Sequence, residues 1–194
     1  MSKRGQDRLP WILVALVFLI GDAILAIGFW RRHREQRHDE AIAAASKTYS
    51  MDPAVVKAVV WKESRFDAAS RGKAGEVGLM QIRDLAAREW ADAERLKDFT
   101  MEHLTSPSTN TLAGTWYLKK LLGRYRHTDG ALVYALADYN AGRANVLKWA
   151  KGSAATNSAL FAEQIGFPMT RKYVADVLAR TSRYAGDFPE VLKP

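Results

Sequence analysis

Apolar residues recur along most of the chain at the three- and four-residue spacing of helices, and no segment alternates convincingly in the manner of a strand. The pattern therefore predicts an all-α protein whose folded domain runs from about residue 41 to 190. Its predicted helices are Ala41–Tyr49, Pro53–Glu63, Leu85–Ala93, Ser108–Tyr125, Ala131–Tyr139, Ala144–Trp149 and Arg171–Tyr184. Turn-forming residues mark loops at Ala69–Val77, Thr105–Ser108 and Lys151–Asn157.

The N-terminal stretch Leu9–Trp30 is apolar apart from one ionisable residue, Asp22. As a helix it would be about 33 Å long, which is enough to cross the hydrocarbon core of a bilayer. We therefore predict a transmembrane anchor at residues 9–30 that contacts the lipid bilayer. A short basic tail, residues 1–8, precedes it, and a charged juxtamembrane linker, residues 31–40, follows it.

A secretion signal is the alternative interpretation of this stretch. Leu9–Ile20 would be its apolar core and Gly21–Ala23 a cleavage site with small residues at its ends. The apolar run continues through Trp30, which favours an anchor that is not cleaved.

The helix that begins after Asp52 places a carboxyl group where a core residue is expected. At about 100° per residue, Glu63 lies on the same arc as Val56, Val59 and Val60. Burial without a cation disfavours the charged form and raises the pKa of a carboxyl group. A carboxylic acid that keeps its proton near neutral pH can protonate a leaving-group oxygen. Alternatively, Glu63 lies at a frayed helix end and reaches water through a groove.

Composition narrows the classes of chemistry. The chain has no cysteine, which excludes disulfides and thiolate metal sites, and its net charge of +8 suits an anionic partner such as a membrane surface or an acidic wall polymer. Basic residues are scattered over several predicted helices, which is typical of a solvated surface, so we expect no nucleic-acid partner. We expect no metal, because the four histidines lack metal-ligand spacing, and no cofactor, because no phosphate-binding glycine loop occurs. The histidines are His33, His38, His103 and His127.

Five short segments occur in a characteristic order along the predicted domain. They are Glu63-Ser-Arg-Phe66, Gly72-Lys-Ala-Gly-Glu-Val-Gly-Leu-Met-Gln81, Asn110-Thr-Leu-Ala-Gly-Thr-Trp-Tyr-Leu118, Ala137-Asp-Tyr-Asn-Ala-Gly142 and Thr170-Arg-Lys-Tyr-Val174. In this order they resemble the lytic transglycosylases of the soluble-lytic-transglycosylase type, relatives of goose-type lysozyme. The resemblance covers roughly residues 45–185.

This resemblance implies a lysozyme-like α fold with a glycan groove between two lobes. It also implies a murein lytic transglycosylase that cleaves the β-1,4 bond between N-acetylmuramic acid and N-acetylglucosamine of peptidoglycan strands without water. By the motif match, Glu63 would protonate the glycosidic oxygen and then, as a carboxylate, help to deprotonate the C6 hydroxyl that closes a 1,6-anhydro ring. The expected location is the bacterial inner membrane, with one span and the catalytic domain in the periplasm or wall space, or secretion if the signal is cleaved. The sequence indicates no particular protein partner.

The resemblance carries substrate contacts onto the residues around the first two motifs. Ser64 matches a family serine beside the acid, or bonds to its own helix backbone. Gly78 lets the loop approach the substrate closely, or makes a turn. Met80 and Gln81 match groove residues, and the alternative for Met80 is core packing.

Three further residues match positions near the reaction centre of the family. Tyr139 and Asn140 end an otherwise apolar helix, and Asn140 is alternatively a helix C-cap. Tyr173 matches a tyrosine that bonds the catalytic carboxyl, or it is a core aromatic at helical spacing.

The glycine-rich loop departs from the family pattern in two places. Many relatives have serine where this chain has Gly72 and alanine where it has Glu76. Glu76 would lie on the surface, pair with Arg71 or Lys73, or act on a water molecule as a second carboxylate. The last arrangement would make the protein a hydrolysing muramidase. A further alternative is a peptidoglycan-binding module without turnover.

Overall fold

The computed structural model describes residues 9–188, with side chains from residue 12 onwards. The predicted basic tail, residues 1–8, lies outside the described residues. Nine α-helices form within the described range: α1 Leu9–Gln36, α2 Asp39–Tyr49, α3 Pro53–Ser64, α4 Asp84–Ala93, α5 Pro107–Arg124, α6 Ala131–Ala141, α7 Arg143–Trp149, α8 Ser158–Gln164 and α9 Pro168–Tyr184. Two 3₁₀-helices lie at Met101–Thr105 and Gly152–Ala155. Between residues 9 and 188 no β-strand forms, as the sequence pattern predicts.

The chain divides into two compact units, one ending at Arg37 and the other beginning at His38. The first contains α1, whose side chains from Ile12 to Trp30 are largely exposed and apolar. This helix is the one candidate membrane span in the described part of the chain, by length and composition. A signal sequence near an N-terminus would satisfy the same criteria.

The second unit is a helical domain built around α3. Helix α3 packs against α9 and α2, while α5 packs against α2, α4 and α6, and α6 also contacts α9. α3 begins where the sequence pattern predicts: the Asp52 carboxylate accepts a hydrogen bond of 2.8 Å from the Ala54 amide, and Pro53 occupies the first turn. It ends at Ser64, and the following residue, Arg65, caps it in a left-handed conformation with φ of 55°.

The domain differs from the sequence prediction at several helix boundaries and by one additional α-helix. Helix α2 begins at Asp39, two residues before the boundary predicted at residue 41. Helix α8 forms within a segment for which no helix is predicted, and the Asn157 side chain caps it by accepting a bond of 3.0 Å from the Leu160 amide.

A buried cation joins the start of the domain to its end. Lys57 of α3 is fully buried, and its ammonium group lies 2.8 Å from the Asp39 carboxylate and 2.7 Å from that of Asp187. The rings of Tyr184 and Phe188 lie 5.0 and 5.3 Å from the same nitrogen. Removing the cation would leave two carboxylates facing each other, so this cluster fixes both ends of the domain onto α3.

Candidate active site

Glu63 lies in the last turn of α3, half-buried, on the helix face whose other members Val56, Val59 and Val60 are fully buried. Burial is the main cause that raises the pKa of its carboxyl group, from an ordinary 4.5 to about 7. Near neutral pH the group therefore exists in both its protonated and its ionised form.

Charged and polar neighbours modify this pKa. The buried Tyr173 of α9 donates a hydrogen bond of 2.6 Å to Glu63 Oε1 and lowers the pKa, as does the positive charge of Lys62. The charge of Lys62 is shared with Asp176, whose carboxylate lies 2.7 Å from its ammonium group. The negative charge of Glu76 acts in the opposite direction and raises the pKa of Glu63. Burial outweighs the two lowering contributions, so Glu63 lies in a site that favours the proton-bound acid.

Tyr139 and Asn140 lie at the end of α6, near Glu63 and α9. The Tyr139 hydroxyl donates a bond of 2.8 Å to the Met80 carbonyl, and burial followed by the charge of Glu63 raises the pKa of Tyr139 well above its ordinary value. Asn140 is exposed, and its side-chain oxygen accepts a bond of 2.8 Å from the Thr170 hydroxyl. The C-terminal end of α6 therefore contributes two polar side chains that are held by hydrogen bonds. Tyr139 lies near Glu63, and Asn140 lies at the start of α9.

The glycine-rich segment turns back on itself next to α5. Gln81 adopts a left-handed conformation with φ of 48°, and its side-chain amide donates bonds of 3.1 Å to the Ser70 carbonyl and 2.9 Å to the Gly78 carbonyl. The side chain of Met80 is completely buried. Gly78 has φ of 77° and is buried, and an added Cβ there would lie 2.6 Å from the Leu104 carbonyl. The space that a side chain at position 78 would need is therefore already filled by protein atoms.

Ser64, the residue after the candidate acid, is also buried. Its hydroxyl lies 3.2 Å from the Val60 carbonyl, to which it donates. The Ser64 hydroxyl therefore makes its hydrogen bond within α3.

Glu76 is fixed inside its own loop. Its carboxylate accepts bonds of 2.9 Å from the Arg83 side chain and 3.0 Å from the Ala74 amide. Hydrogen bonds from its own backbone amide, from Arg83 and from Ala74 lower its pKa. The pairing partner is thus Arg83, and Arg71 pairs instead with Glu102 at 3.1 Å. A Cβ at position 72 would collide with the Glu76 side chain, so Gly72 leaves the space that Glu76 occupies.

Sequence reasoning missed two residues around this site. Asn110 is fully buried beneath the glycine-rich segment, and Tyr117 lies half-buried with its ring 5.7 Å from that of Tyr139. Asn110 could have been identified from the sequence, because it is a polar residue on the same helix face as Gly114 and Leu118. No cluster of three metal-ligating side chains occurs within the described residues.

Comparison with known proteins identifies the family of the domain that contains this site. The model of the transglycosylase SLT domain matches residues 40–161. The soluble lytic murein transglycosylase of Salmonella typhimurium is 33% identical over 141 residues, 72% of this chain and 20% of that protein. A membrane-bound lytic murein transglycosylase F from Desulfosudis oleivorans is 32% identical over 116 residues, 58% of this chain and 24% of that protein.

Solved structures show the same fold. An inactive mutant of the lytic transglycosylase Slt from Pseudomonas aeruginosa superposes with a TM-score of 0.71 at 25% identity, covering 82% of this chain and 26% of that one. The 70 kDa soluble lytic transglycosylase of Escherichia coli, also solved in complex with bulgecin A, gives 0.68 at 27% identity, covering 84% and 27%. This chain thus spans about a quarter of the length of these relatives. The matched domain and the shared helical architecture agree, and the chain belongs to the transglycosylase SLT domain family.

Proposed function

We propose that this chain is a lytic transglycosylase that cleaves the MurNAc-β-1,4-GlcNAc bond of peptidoglycan, with Glu63 as its single acid and base. The observation that carries the proposal is the half-buried Glu63 carboxyl group with a pKa of about 7. Efficient proton transfer needs a group whose pKa is near the working pH. Glu63 meets that requirement in both directions of transfer.

The reaction needs no water and no second carboxylate. Protonated Glu63 gives its proton to the glycosidic oxygen as the bond from that oxygen to C1 of the muramoyl sugar breaks. The resulting carboxylate takes the proton of the C6 hydroxyl, whose oxygen bonds to C1 and closes the 1,6-anhydro ring. The hydrogen bond from Tyr173 to Glu63 Oε1 stabilises the carboxylate between the two transfers. Glu63 ends the cycle protonated, as it began.

The neighbouring side chains would bind the glycan. Because loop carbonyls accept bonds from the amide hydrogens of Gln81, we propose that its side-chain oxygen accepts from an acetamido N–H of the substrate. Asn140 is exposed beside α9 and would contact the sugar from the other side. Ser64, Gly78 and the Met80 side chain would contribute by shaping the protein behind the groove, since their polar or packing contacts are internal.

The test is digestion of purified sacculi by the full chain, followed by mass analysis of the released muropeptides. We expect ends lighter by one water molecule. Glu63→Gln should release nothing while it keeps the helical content of the parent and unfolds no more easily than the parent does. The matched control, Glu102→Gln, removes a carboxylate whose side chain is 74% exposed and should keep full activity. An active Glu63→Gln chain would contradict the assignment.

The same experiment separates the two alternative functions. Glu76 is close enough to Glu63 for its charge to raise the pKa of that group, which is the observation that favours a hydrolase with two carboxylates. A hydrolase would yield reducing ends that have gained water, and Glu76→Gln would abolish them. A binding module would retain sacculi without releasing fragments.

We propose further that residues 9–30 anchor the protein in the bacterial inner membrane, with the catalytic domain in the periplasm. The exposed apolar side chains of α1 support this assignment. The domain would begin at or before Asp39, because that residue pairs with Lys57. Alkaline extraction of membranes tests the anchor: a signal cleaved near Ala23 would release the protein into the soluble fraction.

A further inference from the structure

Asn110 of α5 is a completely buried polar residue that no step of the proposed reaction uses. Its side-chain oxygen accepts a bond of 2.7 Å from the Met80 amide, and its nitrogen donates bonds of 2.8 Å to the Val77 carbonyl and 2.9 Å to the Leu104 carbonyl. Both donors and the acceptor of the amide are therefore satisfied. One side chain joins α5, the glycine-rich turn and the 3₁₀-helix that precedes α5.

Glycine at two positions permits this close contact. A Cβ at Gly78 would collide with the Asn110 amide, and a Cβ at Gly114 would lie 2.7 Å from the Met80 Cβ. Gly114 follows Asn110 by one helical turn, so the same face of α5 first binds the turn and then packs directly against Met80.

Both polar backbone groups of Met80 are held by side-chain hydrogen bonds. Asn110 binds its N–H, and the Tyr139 hydroxyl binds its carbonyl oxygen. Tyr139 packs in turn against Tyr117, which lies on α5 beyond Gly114. Asn110, Gly114 and Tyr117 of α5 therefore contact both the turn that contains Gln81 and Tyr139 of α6, the tyrosine on which the charge of Glu63 acts.

We infer that Asn110 is a positioning residue for the reaction: through Met80 it fixes the Val77–Gln81 turn against Tyr139, so that Gln81 and Tyr139 keep their places in the candidate site. It does not touch the substrate. The inference rests on the proposed function, because it assigns a role within that site. Displacement of a reacting group by about 1 Å costs on the order of 100-fold in rate.

The test compares Asn110→Ala with Thr111→Ala in the full chain in mild detergent. Thr111 is the adjacent residue, equally buried, but its hydroxyl contacts the Pro107 carbonyl and the Ala41 carbonyl instead of the turn. We expect both variants to unfold at lower temperature. Well below those temperatures, the rate of anhydro-end release at saturating sacculi should fall about 100-fold for Asn110→Ala, with the half-saturating amount changed less than threefold. Thr111→Ala should keep at least half of the parental rate.

Amide hydrogen exchange gives a readout that does not depend on turnover. Exchange at Met80 should become at least tenfold faster in Asn110→Ala and stay unchanged in Thr111→Ala. If the alanine variant does not fold, Asn110→Ser, which keeps a smaller polar group, replaces it and should give the same pattern.

Three outcomes would contradict parts of this reasoning. Equal rate losses in the Asn110 and Thr111 variants, or faster exchange at Met80 with an unchanged rate, would overturn the positioning role alone. A parental chain that releases no anhydro ends would overturn the proposed function and this inference with it.

Discussion

Replacing Glu63 by Gln should stabilise the domain, and by an amount that grows with pH. Gln has the shape of Glu, and its side-chain oxygen can still accept the hydrogen bond from Tyr173. The substitution removes the ionisation of a half-buried carboxyl group whose pKa is about 7 in the folded protein and 4.5 ordinarily. The residue proposed for catalysis is thereby expected to reduce stability at the pH at which it works.

The sign follows from proton binding. Because the folded-state pKa is the higher one, the folded protein binds the proton more tightly than the unfolded chain does. The stability that this proton supplies is complete below pH 4.5 and is lost as the pH rises towards 7. The pKa difference corresponds to about 3 kcal/mol at 1.36 kcal/mol per unit. The advantage of Glu63→Gln should therefore be within about 1 kcal/mol of zero at pH 5 and about 3 kcal/mol at pH 8.

The assay is urea unfolding of the full chain in mild detergent, followed by circular dichroism between pH 5 and pH 8. Glu102→Gln serves as the control for removal of an exposed carboxylate. The groups that act on Glu63 are all kept in the variant: the charges of Lys62 and Glu76 and the hydrogen-bonding phenol of Tyr173. A difference between parent and Glu63→Gln that stays constant over this pH range would refute the raised pKa, and with it the physical basis of the acid–base assignment.

Three further substitutions test the surroundings of the acid and the buried cation. Tyr173→Phe removes a hydrogen bond that lowers the pKa of Glu63, so the alkaline limb of the pH–rate profile should move to higher pH and the maximal rate should fall. Glu76→Gln removes a charge that raises the same pKa, and the limb should move to lower pH; a limb that stays in place would contradict this coupling. Lys57→Ala should cost about 3 kcal/mol in unfolding free energy and Asp39→Asn should restore part of it, whereas a parental unfolding curve would exclude the cation cluster as a stabilising element.

The sequence predicts the site best where the evidence lies within one helix. The position of Glu63 follows from the arc of Val56, Val59 and Val60, and the structure shows that arc fully buried. Helix boundaries from Pro53 onwards are similarly local, since an N-cap and a proline determine where α3 begins.

The sequence does not predict contacts between segments that are far apart along the chain. Helical spacing places Lys57 outside the apolar arc, yet its partners Asp39 and Asp187 are 18 and 130 residues away and enclose it completely. Periodicity along one helix contains no information about such partners. Asn110 is similar, because its role depends on the turn at Met80, 30 residues earlier. Helix α8 is different, because a local signal for its start was present: the Asn157 side chain caps its first turn.

Helix α3 shows why partners, rather than burial alone, separate a structural charge from a chemical one. It contributes two ionisable side chains to the interior, Lys57 and Glu63, less than two turns apart. Lys57 has two carboxylates within 3 Å, so its charge is compensated and it stabilises the domain. Glu63 has a phenol as its hydrogen-bond donor, and the cation that acts on it, Lys62, is shared with Asp176. Its charge is left undercompensated, and an acid in that condition exchanges its proton near neutral pH. Supplying Glu63 with a full cationic partner would therefore stabilise the domain while it removed the acid that the proposed reaction needs.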